Sequence, residues 1–200
     1  MVVAGLSTLL ERDFELVGTA GDGRQLIEMS ERLLPDVVVT DISMPLLNGL
    51  DAVRGLKKTL PSVKVVFLTM HGDVDFATEA LRAVASGYLL KHSAAEELTT
   101  AIGEALQGRV YITPLISKEA LTALMENPDS QGRARPALTP RQREVLQLVA
   151  EGRTVKEIAS ILDVAPRTIE YHKNSLALNL GLKTTAELTQ YAVKDGIMSP

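Results

Sequence analysis

The chain has 200 residues, 46% of them apolar and 23% charged, with no cysteine and three histidines. This composition suits one large or two small packed domains. It excludes a disulfide framework or thiolate metal site, and no apolar run approaches the length of a membrane span. The histidines, at 71, 92 and 172, are too far apart to suggest a metal site, and no basic leader opens the chain, so the protein reads as cytoplasmic and not associated with a membrane. A net charge of −4 conceals an asymmetry. Residues 1–132 hold 11 basic and 18 acidic side chains, whereas residues 133–200 hold 10 and 7. An acidic body with a mildly basic tail fits nucleic-acid binding by the tail.

In chain order, Phe14–Ala20 reads as a strand and Gln25–Leu34 as a helix with Leu26, Ile27, Leu33 and Leu34 on one face. Asp36–Thr40 is a short β-branched strand, Leu50–Leu60 a helix and Val63–Thr69 a strand. Val74–Ala85 follows as a helix, Tyr88–Leu90 as a short strand and Ala94–Leu106 as an amphipathic helix. Strands alternating with helices predict a parallel sheet covered on both faces. A helix at Ile116–Glu126 leads into a polar stretch, Asn127–Pro136, with two prolines and a glycine, which reads as a linker.

Beyond the linker the pattern is helical. Thr139-Pro-Arg-Gln142 and Thr154-Val-Lys-Glu157 are capping boxes, the first with proline at the first helical position. The helix that each opens carries an apolar stripe. Asp163-Val164-Ala165 makes a short turn, Pro166 starts a third helix, and a last helix covers about Thr185 to Lys194. With about 100° per residue, Ile169, Leu176 and Leu180 form the inner face of the third helix. Arg167, Glu170, Tyr171 and Asn174 form the outer strip, flanked by His172 and Lys173. Arg, Asn and Glu can read guanine, adenine and cytosine edges, while Lys173 and Lys156 suit phosphates, which position without specifying.

In the first half, Asp41, Thr69 and Lys91 each stand at the carboxyl end of a predicted strand, where open α/β sheets bind ligands. A carboxylate, a hydroxyl and an ammonium there could handle a phosphoryl group, with Asp41 as nucleophile and the other two bonding the transferred oxygens. Enzyme readings fare worse. Asp41-Ile-Ser43 lacks the second Asp of a phosphatase motif, Gly21-Asp-Gly23 lacks a third glycine, and no hydrolytic triad is visible.

Two resemblances extend these readings. Leu138 to Leu188, with LTPRQREVL, KEIA, PRTIE, His172 and Leu180-Gly, resembles the LuxR-type helix-turn-helix. This implies a small all-α four-helix domain whose third helix enters the major groove through residues including Arg167, Thr168, Glu170, Tyr171, His172, Lys173 and Asn174. It also implies a homodimer paired through the last helix, reading double-stranded DNA at paired half-sites. The family commonly has Ser where this chain has Ala165. DVVVTDISMPLLNGLDAVR, VVFLTMHGD and ASGYLLKHSAAEEL resemble the receiver domain of NarL/FixJ-type response regulators, with its doubly wound, flavodoxin-like parallel sheet. The resemblance implies that Asp41 is phosphorylated by a sensor histidine kinase, with Thr69 the switch hydroxyl, Lys91 the active-site lysine and Tyr88 the switch aromatic. It divides the chain into a receiver over 1–110, a helix and linker over 111–137, and a DNA-binding domain over 138–200.

One part of the family pattern is missing. Its receivers open with a strand ending in an acidic pair that binds Mg²⁺ together with the phosphoacceptor, here Asp41. This chain starts with a segment, Val2–Leu10, that matches the following helix, and Asp13, Glu15 and Asp22 come too late to substitute. Loss of two ligands should nearly abolish phosphorylation. Either a longer protein precedes Met1, or the regulator binds DNA independently of phosphorylation. The missing strand should lie between the Phe14 and Asp36 strands and leave two bare edges.

Overall fold

The computed structural model describes residues 2–70, 77–78, 80, 85–114, 122 and 138–198. Among them the elements run α1 (Val2–Leu10), α2 (Gly23–Leu33), β1 (Val37–Asp41), α3 (Gly49–Thr59), β2 (Lys64–Thr69), β3 (Gly87–Leu90), α4 (Ala94–Leu106) and β4 (Tyr111–Ile112). Four helices follow: α5 (Pro140–Ala150), α6 (Val155–Ile161), α7 (Pro166–Leu180) and α8 (Thr185–Lys194).

The four strands form one parallel sheet in the order β1-β2-β3-β4. Successive side chains alternate between its faces. Val38, Val65, Phe67 and Tyr88 pack with Leu50, Val53 and Leu56 of α3 and with Leu26 of α2. Val66, Leu68 and Leu89 pack with Leu98, Ala101 and Ile102 of α4 and with Leu6 and Leu10 of α1. Both faces are therefore covered, which is why β2 reads as an unbroken apolar run and not as an alternation. β4 was not anticipated; two residues carry too little pattern to register.

Phe14–Ala20 is not a strand. It lies outside the sheet, with Leu16 and Val17 36% and 46% exposed. A strand needs a neighbour to take its backbone groups, and among the described residues none is paired to this segment or to the outer edge of β1. The β propensity of FELVGTA is overridden by the lack of a partner. Of the helix expected over Val74–Ala85, Ala77, Thr78 and Ala80 are helical and Ala85 is not; the rest lies outside the described residues. So does the Asn127–Pro136 linker, together with all of Ile116–Glu126 except Thr122, which is helical.

The helical half has its own core, with Val145, Leu146, Leu148 and Val149 of α5 against Ile158, Ile169, Leu176, Leu188 and Ala192. Both expected capping boxes form, and Thr184 with Glu187 makes a third at α8. α7 ends at Gly181, whose φ of 66° suits a residue without a Cβ. No helix among the described residues is long and apolar enough to cross a membrane.

Candidate phosphoryl site and nucleic-acid interface

Asp41 is the last residue of β1, Thr69 the last of β2, and Lys91 follows β3 directly. Parallel register sets Asp41 beside Leu68 and Thr69 beside Leu90, so the three strands end almost level. The Lys91 ammonium bonds the Asp41 carboxylate through Oδ2, and Oδ1 accepts from the Ser43 N–H at 3.2 Å. The Lys91 N–H donates to the Thr69 carbonyl at 2.7 Å, tying β3 to β2 at the rim. Asp41 and Lys91 keep 28% and 23% of their side-chain surface. They are open enough to meet a reagent and enclosed enough to hold a geometry. Thr69 is buried, and Tyr88 is fully enclosed in the core with Phe67 and Ala77.

Gly49 opens α3 directly against this rim. Its N–H donates to the Ile42 carbonyl at 2.7 Å, and a Cβ there would stand 2.0 Å from the Asp41 carbonyl oxygen. Only glycine allows α3 to start so close to the residue that carries the carboxylate.

A Mg²⁺ ion demands near-octahedral oxygen ligation, usually from one or two carboxylates plus substrate oxygens and water. Among the described residues no group of three or more His, Asp or Glu side chains is arranged to hold a metal, and Asp41 faces Lys91. The donors present do not fit the acidic site that the receiver resemblance implies.

In the helical half, Arg167, Glu170, Tyr171 and Asn174 are all exposed on α7, Tyr171 to 69%. Thr168, His172 and Lys173 are half-buried beside them, and Lys156 is exposed on α6. The rings of Tyr171 and His172 meet edge to face at 5.6 Å. Beneath, Ile169 and Leu176 are fully buried, so the strip is fixed by the core it stands on. The Gln142 amide donates to Ser175 Oγ at 3.2 Å and holds α7 against α5. Ala165 at the head of α7 offers no side-chain cap.

Sequence reasoning missed a third cluster. Arg143 and Gln147 on α5 and Glu151 at its C-cap recur every four residues, and they meet the loop between Asp41 and α3 and the first turn of α3. Gln147 Nε2 donates to the Met44 carbonyl at 2.8 Å, and its Oε1 accepts from the Asn48 N–H at 2.8 Å. Glu151 Oε1 accepts from the Leu46 N–H at 2.9 Å, and Arg143 Nε donates to Asp51 Oδ2 at 3.0 Å. A polar stripe on α5 was visible in the sequence, but its partner was not.

Residues 1–103 match the family described as response regulator receiver domain, and residues 136–192 match bacterial regulatory proteins, luxR family. The transcriptional regulatory protein MctR of Rhizobium johnstonii is 37% identical over all of this chain and 91% of its own. The oxygen regulatory protein NreC of Staphylococcus carnosus is 34% identical, covering 99% of this chain and 94% of that one. Among solved structures, RcsB of Salmonella enterica serovar Typhimurium, bound to promoter rprA in the presence of the phosphomimetic BeF3−, superposes with a TM-score of 0.58 at 29% identity. That match covers 95% of this chain and 92% of the other. Receiver-type sheet, helix-turn-helix and relatives matched nearly end to end lead to one assignment: the chain belongs to the response regulators that join a receiver domain to a LuxR-type DNA-binding domain.

Proposed function

We propose that this protein is a cytoplasmic, sequence-specific transcriptional regulator, with residues 1–110 as receiver, 111–137 as connection and 138–200 as DNA-binding domain. The observation that carries the reading is the exposed strip of Arg167, Glu170, Tyr171 and Asn174 on a helix whose opposite side is anchored by the fully buried Ile169 and Leu176. Those residue types read base edges in a major groove, while Lys156 and Lys173 add phosphate contacts. A homodimer through α8 would present two such helices to paired half-sites, as expected from relatives such as RcsB, solved as two dimers bound to two parallel DNAs.

On the input side, Asp41 is the phosphoacceptor for a sensor histidine kinase. An Asp41 carboxylate oxygen forms the new P–O bond as the P–N bond of the donor phosphohistidine breaks, and the imidazole leaves with the electron pair. Lys91 bonds the carboxylate in the resting chain; in this reading it pairs with the incoming phosphoryl oxygens, and Thr69 offers its hydroxyl to the same oxygens. Its role is transcriptional control and not turnover of a substrate.

The test is phosphoramidate treatment with and without Mg²⁺, followed by intact mass and by binding to duplexes selected from a random pool. A single phosphoryl adduct, lost in Asp41→Asn and raising DNA affinity, is the expected result. Selective DNA binding with no adduct and no effect of Asp41→Asn would leave the output and remove the phosphorylation step.

A further inference from the structure

The α5 contacts are built around one side chain. Gln147 is 1% exposed and uses its whole amide. Oε1 accepts from the Asn48 N–H and from Asn48 Nδ2, and Nε2 donates to the Met44 carbonyl and to Glu151 Oε1. Two donors and two acceptors exhaust what a primary amide can offer. The pattern fixes its orientation, because a flipped amide would set NH2 against N–H. The loop it grips runs from the residue after Ser43 to the N-cap of α3, three to seven positions beyond Asp41.

That loop is held in a costly shape. Leu46 has φ 62°, a left-handed conformation unusual for a branched side chain. Its N–H is taken by Glu151, and its side chain packs against the core of the helical half. The conformation is thus stabilised by the other domain. Arg24 with Glu144, at 3.6 Å, adds a further contact beside it.

We propose that the Arg143, Gln147 and Glu151 face of α5 is the docking surface for the phosphoacceptor loop. In it, Gln147 is the positioning residue through which the DNA-binding half senses the Asp41 site. The surface coupled to the receiver is then α5, and the reading strip of α7 stays open in the docked state. Control passes through the placement of the whole helical half and not through a lid over its recognition helix. Any change at Asp41 that moves the 44–48 backbone breaks bonds to Gln147, and linkage requires DNA binding to act back on that loop by the same factor. The part of this inference that concerns Asp41 rests on the phosphorylation reading above; the docking surface does not.

Amide hydrogen exchange on the full chain separates the two. The Leu46 and Asn48 amides are held by side chains of α5, so they should exchange slowly in the unmodified protein. They should lose about tenfold or more of that protection in Gln147→Ala and in Gln147→Glu. The second variant is isosteric but cannot donate, and it sets a second carboxylate beside Glu151. Fast exchange in the wild type, or protection indifferent to both substitutions, would overturn the docking surface. With BeF3− present, loss of the same protection supports sensing of Asp41. Unchanged protection, with the Gln147 effects intact, overturns the sensing role alone, and a phosphoryl adduct in the mass assay then shows whether the Asp41 reading itself survives. On a duplex selected with the full chain, Gln147→Ala should raise affinity in the direction that phosphorylation does, because both break the docked bonds, but by less than about tenfold, since the strip is already open. An affinity indifferent to the substitution would overturn the link between docking and DNA binding. A gain of about tenfold or more would show that docking shields the strip.

Discussion

Arg143 Nε and Asp51 Oδ2 stand 3.0 Å apart and join the helical half to the first turn of α3, both largely buried. Burial by itself would push the Asp51 carboxyl up. The Arg143 guanidinium, the Asn48 amide and Arg54 together outweigh burial and hold it below the ordinary carboxylate range. A carboxylate depressed in the folded state contributes stability above its unfolded pKa and loses it as pH falls through its lowered folded value.

The pH dependence follows. Asp51→Asn should be less stable than the wild type by about 2 kcal/mol at neutral pH, because the buried charge-assisted bond to Arg143 is lost. That gap should be full at pH 6–7 and shrink as pH falls below roughly 4. Thermal midpoints of both proteins at matched pH check it, and a gap that widens in acid would show the sign to be wrong.

Gly49 makes a second prediction. A Cβ placed 2.0 Å from the Asp41 carbonyl oxygen meets backbone, which cannot rotate aside. Gly49→Ala should destabilise the receiver half by about 2–3 kcal/mol through overpacking, against the small gain that alanine normally brings to a helix. A urea midpoint that rises would show that α3 can shift without cost.

Much of this was legible in the sequence, for reasons that differ by element. The strand ends at Asp41, Thr69 and Lys91 were readable because buried parallel strands are unbroken β-branched runs and polar residues mark where they surface. The α7 strip was readable because Ile169, Leu176 and Leu180 fix the phase of the helix. Phe14–Ala20 was misread because pairing belongs to a neighbour and not to the segment. The Gln147 contacts were illegible because they link residues 99 and 103 apart to backbone atoms, which leave no trace in residue type. Only the full burial of a glutamine among Leu146, Leu148 and Val149 exposes them.

The Asp41–Lys91 pair is partly open to solvent, so its worth lies in chemistry more than in stability. Lys91→Ala should change folding stability by less than about 1 kcal/mol. It should nevertheless slow the phosphorylation of Asp41 by about 10²-fold, since the ammonium is gone from the place where phosphoryl charge develops. Time-resolved intact mass with phosphoramidate, beside urea melts, reads both quantities. A large stability loss with unchanged phosphorylation would assign the pair a structural role.

At the head of α7, Ala165 has the extended backbone of an N-cap, φ −66° and ψ 143°, with no side chain to take an amide. Its carbonyl accepts from the Thr168 N–H at 2.9 Å. Ala165→Ser should stabilise the protein by about 1 kcal/mol by capping a free N–H. It should also slow amide exchange in the first turn of α7. An unchanged unfolding midpoint would mean that water already satisfies those amides as well.

The last prediction separates reading from holding on the DNA surface. Arg167 and Asn174 lie on the exposed strip, and Lys156 lies outside it on α6. Arg167→Ala and Asn174→Ala should each cost about 1–3 kcal/mol on a selected duplex and little on random DNA, relaxing the preference at particular base pairs. Lys156→Ala should weaken both duplexes alike and reduce the slope of log affinity against log salt by about one. Side chains of the same helix-turn-helix would then differ in kind and not merely in degree. The comparison needs both duplexes at three or more salt concentrations, because a single condition cannot tell a lost base contact from a lost phosphate contact. If Lys156→Ala selectively weakened the chosen sequence while Asn174→Ala acted uniformly, α6 and α7 would have to exchange roles in the groove.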